Sequence, residues 1–160
     1  MSKIRIETSD GFYSNEDVYN NVIGYVSNKT YWGGYGFYCS PDISVIEQFK
    51  ASEAYSDHTN DQKIWHFWIT FSRRWSENEL LNLADRIARL FSSEYQIIYG
   101  VDMDERNPHL HFGINAFSYH PDHPVLTPEV MHGRLANLQD ILRRRYPCET
   151  VTLQFRGKKG

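Results

Sequence analysis

The clearest pattern along the chain is the alternation of "KIWHFWITF", residues 63–71. Trp65, Phe67, Ile69 and Phe71 fall on one side, and Ile64, His66, Trp68 and Thr70 on the other. A period of two predicts a β-strand with a buried face. "YQIIYGVD" (95–102) and "PHLHFGINAF" (108–117) predict two more strands, joined by the short "MDERN". Strands joined so closely pair most easily as an antiparallel hairpin. "KIRIE" predicts an opening strand and "ETVTLQF" a closing one.

Helical spacing occupies the segments between. "SNEDVYNNVIGYVSN" (14–28) sets Val18, Val22 and Tyr25 along one stripe, with Ser14 as N-cap. "SPDISVIEQFKASEAY" (40–55) predicts a second helix, with Ser40 as cap and Pro41 at the first helical position. Ser76 and Glu79 have the spacing of a capping box, ahead of a stripe of Leu80, Leu83, Ala84, Ile87 and Phe91. "TPEVMHGRLANLQDILRRRY" (127–146) predicts a long last helix stopped by Pro147. The ring- and glycine-rich "TYWGGYGFYCS" (30–40) is expected to be a loop that bends and exposes its aromatics. The order β-α-α-β-α-β-β-α-β predicts an α+β fold, a central, mostly antiparallel sheet covered by helices. It is expected to form one domain over residues 1–160, with 155–160 a frayed tail.

Composition adds bounds. Apolar residues at 41% and aromatics at 15% argue for a packed core. No apolar run approaches the roughly 20 residues of a membrane span, and the N-terminus lacks the apolar stretch of a signal peptide. Cys39 and Cys148 have no CxxC spacing and are expected to be buried thiols of a cytoplasmic protein. A net charge of −3 weighs mildly against a nucleic-acid partner. The basic excess, however, gathers at the C-terminal end, in Arg143, Arg144, Arg145, Arg156, Lys158 and Lys159. "RRR" reads equally as a solvated helix end favoured by the helix dipole.

The chemistry concentrates in "YGVDMDERNPHLHFGIN", residues 99–115. On a strand, His109, His111, Gly113 and Asn115 share a face, while Leu110, Phe112, Ile114 and Ala116 point to the core. Two imidazoles about 7 Å apart along a strand can reach one ion, and Gly113 leaves room above the sheet. The pair alone reads equally as two surface histidines. If the two strands pair, Asp102 lies opposite His109 on the same face, and Glu105 could swing in from the loop. Two imidazoles with carboxylate oxygen suit Mn²⁺, Mg²⁺ or Zn²⁺ rather than a thiolate zinc site. So few protein ligands leave positions open for water or phosphate. Without an ion the acids form only a solvated turn. His66, taken alone, reads as a hydrogen-bonded core residue; its functional alternatives are support for the metal site and contact with DNA.

"DMDERNPHLHFGIN" resembles the metal motif of Mob-type relaxases, the mobilisation nucleases of the HUH endonuclease superfamily. That motif runs His-x-Asp, Pro-His-x-His, then an apolar run ending in Asn. "VIGYVSN" resembles the family's N-terminal helix motif, whose tyrosine attacks DNA. "YCSPDISVIEQFKASEAY", "IWHFWITF" and "SENELLNLADRIARLF" resemble the segments that follow, so that residues 15–120 match in order and spacing. The resemblance implies Tyr25 as nucleophile, His109 and His111 as metal ligands, and Asp104 as the acid supporting the site. Asp102 stands where the family has its first histidine. The third ligand is then either Asp102, which favours a harder ion such as Mg²⁺ or Mn²⁺, or Glu105.

The implied reaction is metal-dependent, site- and strand-specific nicking of DNA. It leaves a 5′-phosphotyrosine link and a free 3′-hydroxyl, in mobilisation of a plasmid or integrative element. The implied setting is the bacterial cytoplasm, with single-stranded DNA at an origin of transfer as partner and accessory relaxosome proteins beside it. Tyr31, Trp32 and Tyr35 suit stacking on unpaired bases. His66 and the basic Arg143 and Arg144 suit contact with the strand.

Rival assignments remain at this level. Tyr25 could be a packed aromatic, and Tyr19, Tyr31 and Tyr35 are equally available. A single-tyrosine HUH transposase or replication initiator would use Tyr146. A non-catalytic single-stranded-DNA-binding module is favoured by Asp102 and the acidic net charge. A two-histidine phosphodiesterase needs His-x-Ser/Thr twice, whereas the chain offers "HFW" and "HLH".

Overall fold

A computed structural model describes residues 2–9, 17–103, 107–120 and 122–156. Its elements are β1 (Lys3–Ser9), α1 (Val18–Ser27), β2 (Tyr31–Tyr35), α2 (Val45–Ala54) and β3 (Ile64–Phe71). They continue with α3 (Glu77–Arg89), β4 (Ile97–Asp102), β5 (His109–Asn115), α4 (Pro128–Arg145) and β6 (Thr150–Arg156). The alternating segments pair into one sheet, in the order β2-β4-β5-β3-β1-β6. Every neighbouring pair is antiparallel except β1–β6, which is parallel.

The period of two divides the sheet's side chains between two cores. One face carries Ile4, Ile6, Trp65, Phe67, Ile69, Phe71, Leu110 and Phe112, packed under the apolar stripes of α3 and α4. On the other face Ile64 and Ile98 lie under Val18, Tyr19, Val22, Ile23 and Val26 of α1 and Phe49 of α2. This second core covers only part of its face. Beyond it, β1 and β3 present the exposed or half-buried Arg5, Glu7, Trp68 and Thr70. The boundary between the apolar patch and the polar one is where the site lies.

The predicted α+β fold is observed, and β3, the β4–β5 hairpin, α3 and α4 lie close to where the sequence puts them. Both halves of the capping box form: the Glu79 amide donates to Ser76 Oγ at 3.2 Å and the Ser76 amide to Glu79 Oε1 at 3.3 Å. Other expectations need correction. Tyr31–Tyr35 is not a loop but an edge strand, because pairing along β4 overrides the poor strand propensity of its glycines. The second helix begins at Val45. Its cap is Ser44, whose Oγ accepts the Glu47 amide at 3.1 Å, whereas Ser40 accepts the Asp42 amide and closes a local turn. The first helix begins at Val18 with Asp17 at its N-cap position; Ser14 lies outside the described residues. Cys39 and Cys148 are exposed rather than buried, since both fall in connections away from the two cores. β6 extends to Arg156, two residues into the segment expected to fray.

Asn115 fastens the layers together. It is fully buried, donates from Nδ2 to Phe49 O at 2.9 Å and Gln96 Oε1 at 2.8 Å, and accepts the Phe117 amide at 3.2 Å. It therefore ties α2 to the ends of β4 and β5. Replacing it by leucine leaves buried polar partners unsatisfied. Asn115→Leu is expected to cost about 3 kcal/mol in denaturant unfolding. A loss under about 0.5 kcal/mol, the range of a neutral surface change, would contradict this structural role.

Candidate active site

Register places the polar residues of the open face in rows. Asp102 pairs with His109, His109 with Thr70, Thr70 with Arg5 and Arg5 with Thr152, so one line of side chains crosses five strands. The adjoining row runs Gly100, His111, Trp68, Glu7 and Gln154. His66 lies in a third row, opposite Gly113. Asp102 thus takes the place expected for it, opposite His109. The room expected above Gly113 is filled by α1: a Cβ there would meet Val22 Cγ1 at 3.0 Å and Ile98 Cγ2 at 3.1 Å.

His66, His109 and His111 form one cluster. The His109 and His111 rings stack with centroids 6.0 Å apart, and those of His66 and His111 stack at 5.4 Å. His66 Nε2 and His111 Nδ1 share a hydrogen bond at 3.2 Å. Burial holds the His66 imidazolium down to a pKa of about 4, with help from the nearby Lys29 charge. Burial pushes His111 down to about 3, assisted by the charges of His66, Lys29 and His109. Near neutral pH both rings are neutral, so one donates and the other accepts.

Tyr25, from the last turns of α1, stands over this cluster. Its ring meets His111 edge-on at 5.1 Å and His66 at 5.5 Å, and the residue is 48% exposed. It is not a core aromatic. Tyr19, by contrast, is buried and donates to Glu53 Oε2 at 3.2 Å; burial and that carboxylate raise its pKa. Lys29, one turn beyond Tyr25, lies with Nζ 3.6 Å from the Tyr25 ring centroid and 3.8 Å from Asp102 Oδ2.

The other sequence candidates divide by face. Trp32 pairs with Gly100 and so lies on the histidine face. Tyr31 and Tyr35 pair with Val101 and Ile97 and point to the opposite face. There Tyr31 bonds Glu77, which raises its pKa, while Tyr35 donates to Asp85 and accepts from Arg89 Nε at 3.0 Å. Arg143 and Arg144 belong to α4, also across the sheet. Arg143 reaches the Val151 carbonyl at 3.3 Å and Arg144 the Asp140 carbonyl at 3.4 Å. The rival nucleophile Tyr146 packs edge-on against Trp75 at 5.1 Å, in that same core and away from the histidines. His66, weighed as a DNA contact, stands within the histidine cluster. Asp104 and Glu105 lie outside the described residues, as do Lys158 and Lys159.

A polar cavity of about 340 Å³ opens beside His109, lined by Arg5, Glu7, Thr70, Ser72, Asn107 and Arg156. Glu7 accepts from Trp68 Nε1 at 2.7 Å and from Arg156 at 3.0 Å, and the second bond fixes Arg156 in the cavity wall. Another cavity, of about 290 Å³, lies past the far end of β5, beside His120 and His123, with none of the clustered residues in its wall.

Neutral imidazoles with a carboxylate nearby are the donor chemistry of a borderline divalent ion. Among the described residues, no group of three or more His, Cys, Asp or Glu side chains is placed to hold a metal. The donor types fit; a complete set requires movement of Asp102 or an oxygen from the 104–106 segment.

Arg5 and Lys29 escape sequence inspection because their roles depend on neighbours distant in sequence. Arg5's pairing with Thr70 could have been found only by fixing the β1–β3 register.

The buried histidines make stability depend on pH. Both titrate near 6.5 when unfolded, but only at about 4 and about 3 when folded. Below pH 6.5 the unfolded chain binds more protons, so stability is full above that value and falls as the pH drops towards the folded pKa values. Metal-free melts are expected to show Tm falling between pH 6.5 and 5, with a shallower slope in His66→Gln and His111→Asn. A flat parent profile over that range would contradict neutral burial.

No curated protein and no solved structure matches the chain. The family described as "Relaxase: MobA/VirD2-like, nuclease domain" matches residues 25–146, which span Tyr25, the histidine strands and α4. Among the described residues no helix is long and apolar enough to cross a membrane. The chain belongs to the MobA/VirD2-like relaxase nuclease family.

Proposed function

We propose that the chain nicks single-stranded DNA by transesterification at Tyr25, as the strand-transfer step in mobilising a plasmid or integrative element. The observation that carries this is the stance of Tyr25, half exposed and edge-on to His66 and His111 at 5.5 and 5.1 Å. Tyr25 Oη attacks the scissile phosphorus, the bond to the 3′ oxygen breaks, and a 5′-phosphotyrosine link forms. The phenolic proton leaves to a base, and the departing 3′ oxygen takes one up. A phenol with an ordinary pKa of about 10 needs such help. His66, neutral and 5.5 Å from Tyr25 between ring centroids, is the proposed acceptor, its Nε2 lone pair becoming available when the bond to His111 Nδ1 is released. The covalent link conserves the energy for rejoining, so no nucleotide is consumed.

The proposed ion site comprises His109 and His111, with oxygen from Asp102 or Glu105 and support from Asp104. A divalent ion held there, Mn²⁺ or Mg²⁺ before Zn²⁺, polarises the phosphate and offsets its developing charge. The DNA is proposed to lie along the open polar face. Arg5 and Arg156 of the cavity beside His109 take phosphates, and Trp32 takes a stacked base. Tyr31, Tyr35, Arg143 and Arg144 lie across the sheet from that path.

The test is nicking of labelled single-stranded DNA drawn from around the chain's own gene, with Mn²⁺ or Mg²⁺. Tyr25→Phe is expected to abolish nicking, and His109→Ala or His111→Ala to slow it by about 10²–10³. Tyr146→Phe is expected to leave it within about twofold, as for a residue remote from the chemistry. Undiminished nicking by Tyr25→Phe would sink the proposal. Tight binding without nicking under either ion would favour the non-catalytic module.

A further inference from the structure

Lys29 is the one charged group against Tyr25 that the mechanism above leaves unused among the described residues. Its stem crosses β4 at Gly100, where a Cβ would stand 2.8 Å from Lys29 Cγ and 2.3 Å from Val26 O. The ammonium ends 3.6 Å from the Tyr25 ring centroid and 3.8 Å from Asp102 Oδ2. The Lys29 and Asp102 side chains are only 13% and 12% exposed. A cation drawn out of solvent against a ring and a carboxylate is a specific placement, since lysine otherwise keeps its head in water.

We propose that Lys29 is the resident cation of this site. It holds the Asp102 carboxylate, competes with a divalent ion for that carboxylate, and keeps positive charge beside Tyr25 whether or not an ion is bound. The role of the charge at Tyr25 rests on the nicking mechanism; the competition for Asp102 does not. An ion drawing on Asp102 oxygen would sit close to the ammonium, and like charges a few ångströms apart repel strongly where solvent is scarce. As Tyr25 loses its proton, the ammonium over its ring favours the negative state over the neutral one. Asp102 in place of the family's histidine fits the same arrangement. A neutral imidazole there could not balance Lys29, and a carboxylate does. Lys29 acts through Asp102 and Tyr25 and is therefore a positioning residue.

The experiment measures Mn²⁺ binding by calorimetry on the full chain without DNA. Lys29→Met keeps the stem over Gly100 and removes the charge, while Lys29→Arg keeps the charge. Lys29→Met is expected to bind Mn²⁺ at least about tenfold more tightly than the parent chain, with Lys29→Arg close to the parent. Adding Asp102→Asn to Lys29→Met is expected to remove the gain. Equal affinity in Lys29→Met and parent overturns the proposal, as does a gain that survives Asp102→Asn or an absence of Mn²⁺ binding in every protein. At saturating Mn²⁺, Lys29→Met is expected to form the tyrosine–DNA adduct about tenfold or more slowly, with Lys29→Arg restoring the rate. Equal rates overturn the role at Tyr25. If the parent forms no adduct, the nicking mechanism fails while the Mn²⁺ isotherms still decide the competition for Asp102.

Discussion

The closeness of α1 to the β4–β5 pair is the constraint on which the site depends. Two positions without side chains permit it. At Gly113 a Cβ would press on Val22, and at Gly100 it would strike the Val26 carbonyl. Because neither is there, α1 seats its apolar stripe on Ile64 and Ile98. The last turn of that helix then falls over the histidines, delivering Tyr25 to their edges and Lys29 to Asp102. A looser seat would leave the same residues on the same elements with nothing between them but solvent.

The electrostatics follow from that seat. Burial keeps His66 and His111 neutral, so, with one ring donating to the other, the pair presents one free lone pair instead of a fixed positive charge. The site's positive charge comes from Lys29, balanced by Asp102. Beyond α1 the sheet face turns polar, and Glu7 holds Trp68 and fixes Arg156 in the wall of a cavity that reaches His109. A pair of neutral imidazoles thus lies beside a polar surface that carries Arg5 and Arg156.

Much of this was legible in the residues, and the reasons for the rest are physical. β3 and the β4–β5 hairpin announce themselves by period, and their short connection sets the Asp102–His109 pairing without any long-range information. The capping box of α3 is local chemistry and forms as written. β2 was missed because its glycines carry no strand signal; its pairing to β4 comes from tertiary structure. The start of α2 was misplaced because Ser40 and Ser44 are both competent caps, and only packing selects between them. Which face Tyr35, Arg143 and Arg144 would occupy depended on the layering of α3 and α4, which periodicity leaves open. Lys29 carried no motif at all, and only the gap at Gly100 reveals its course.

The central claim is that Tyr25 forms the covalent bond to DNA, and locating that bond tests it most directly. The full chain would be trapped on single-stranded DNA from around its own gene in Mn²⁺, digested with protease and nuclease, and the nucleotide-bearing peptide sequenced by mass spectrometry. A single modified peptide is expected, with the phosphate on Tyr25. A nucleotide on Tyr146, or on any other tyrosine, would contradict it.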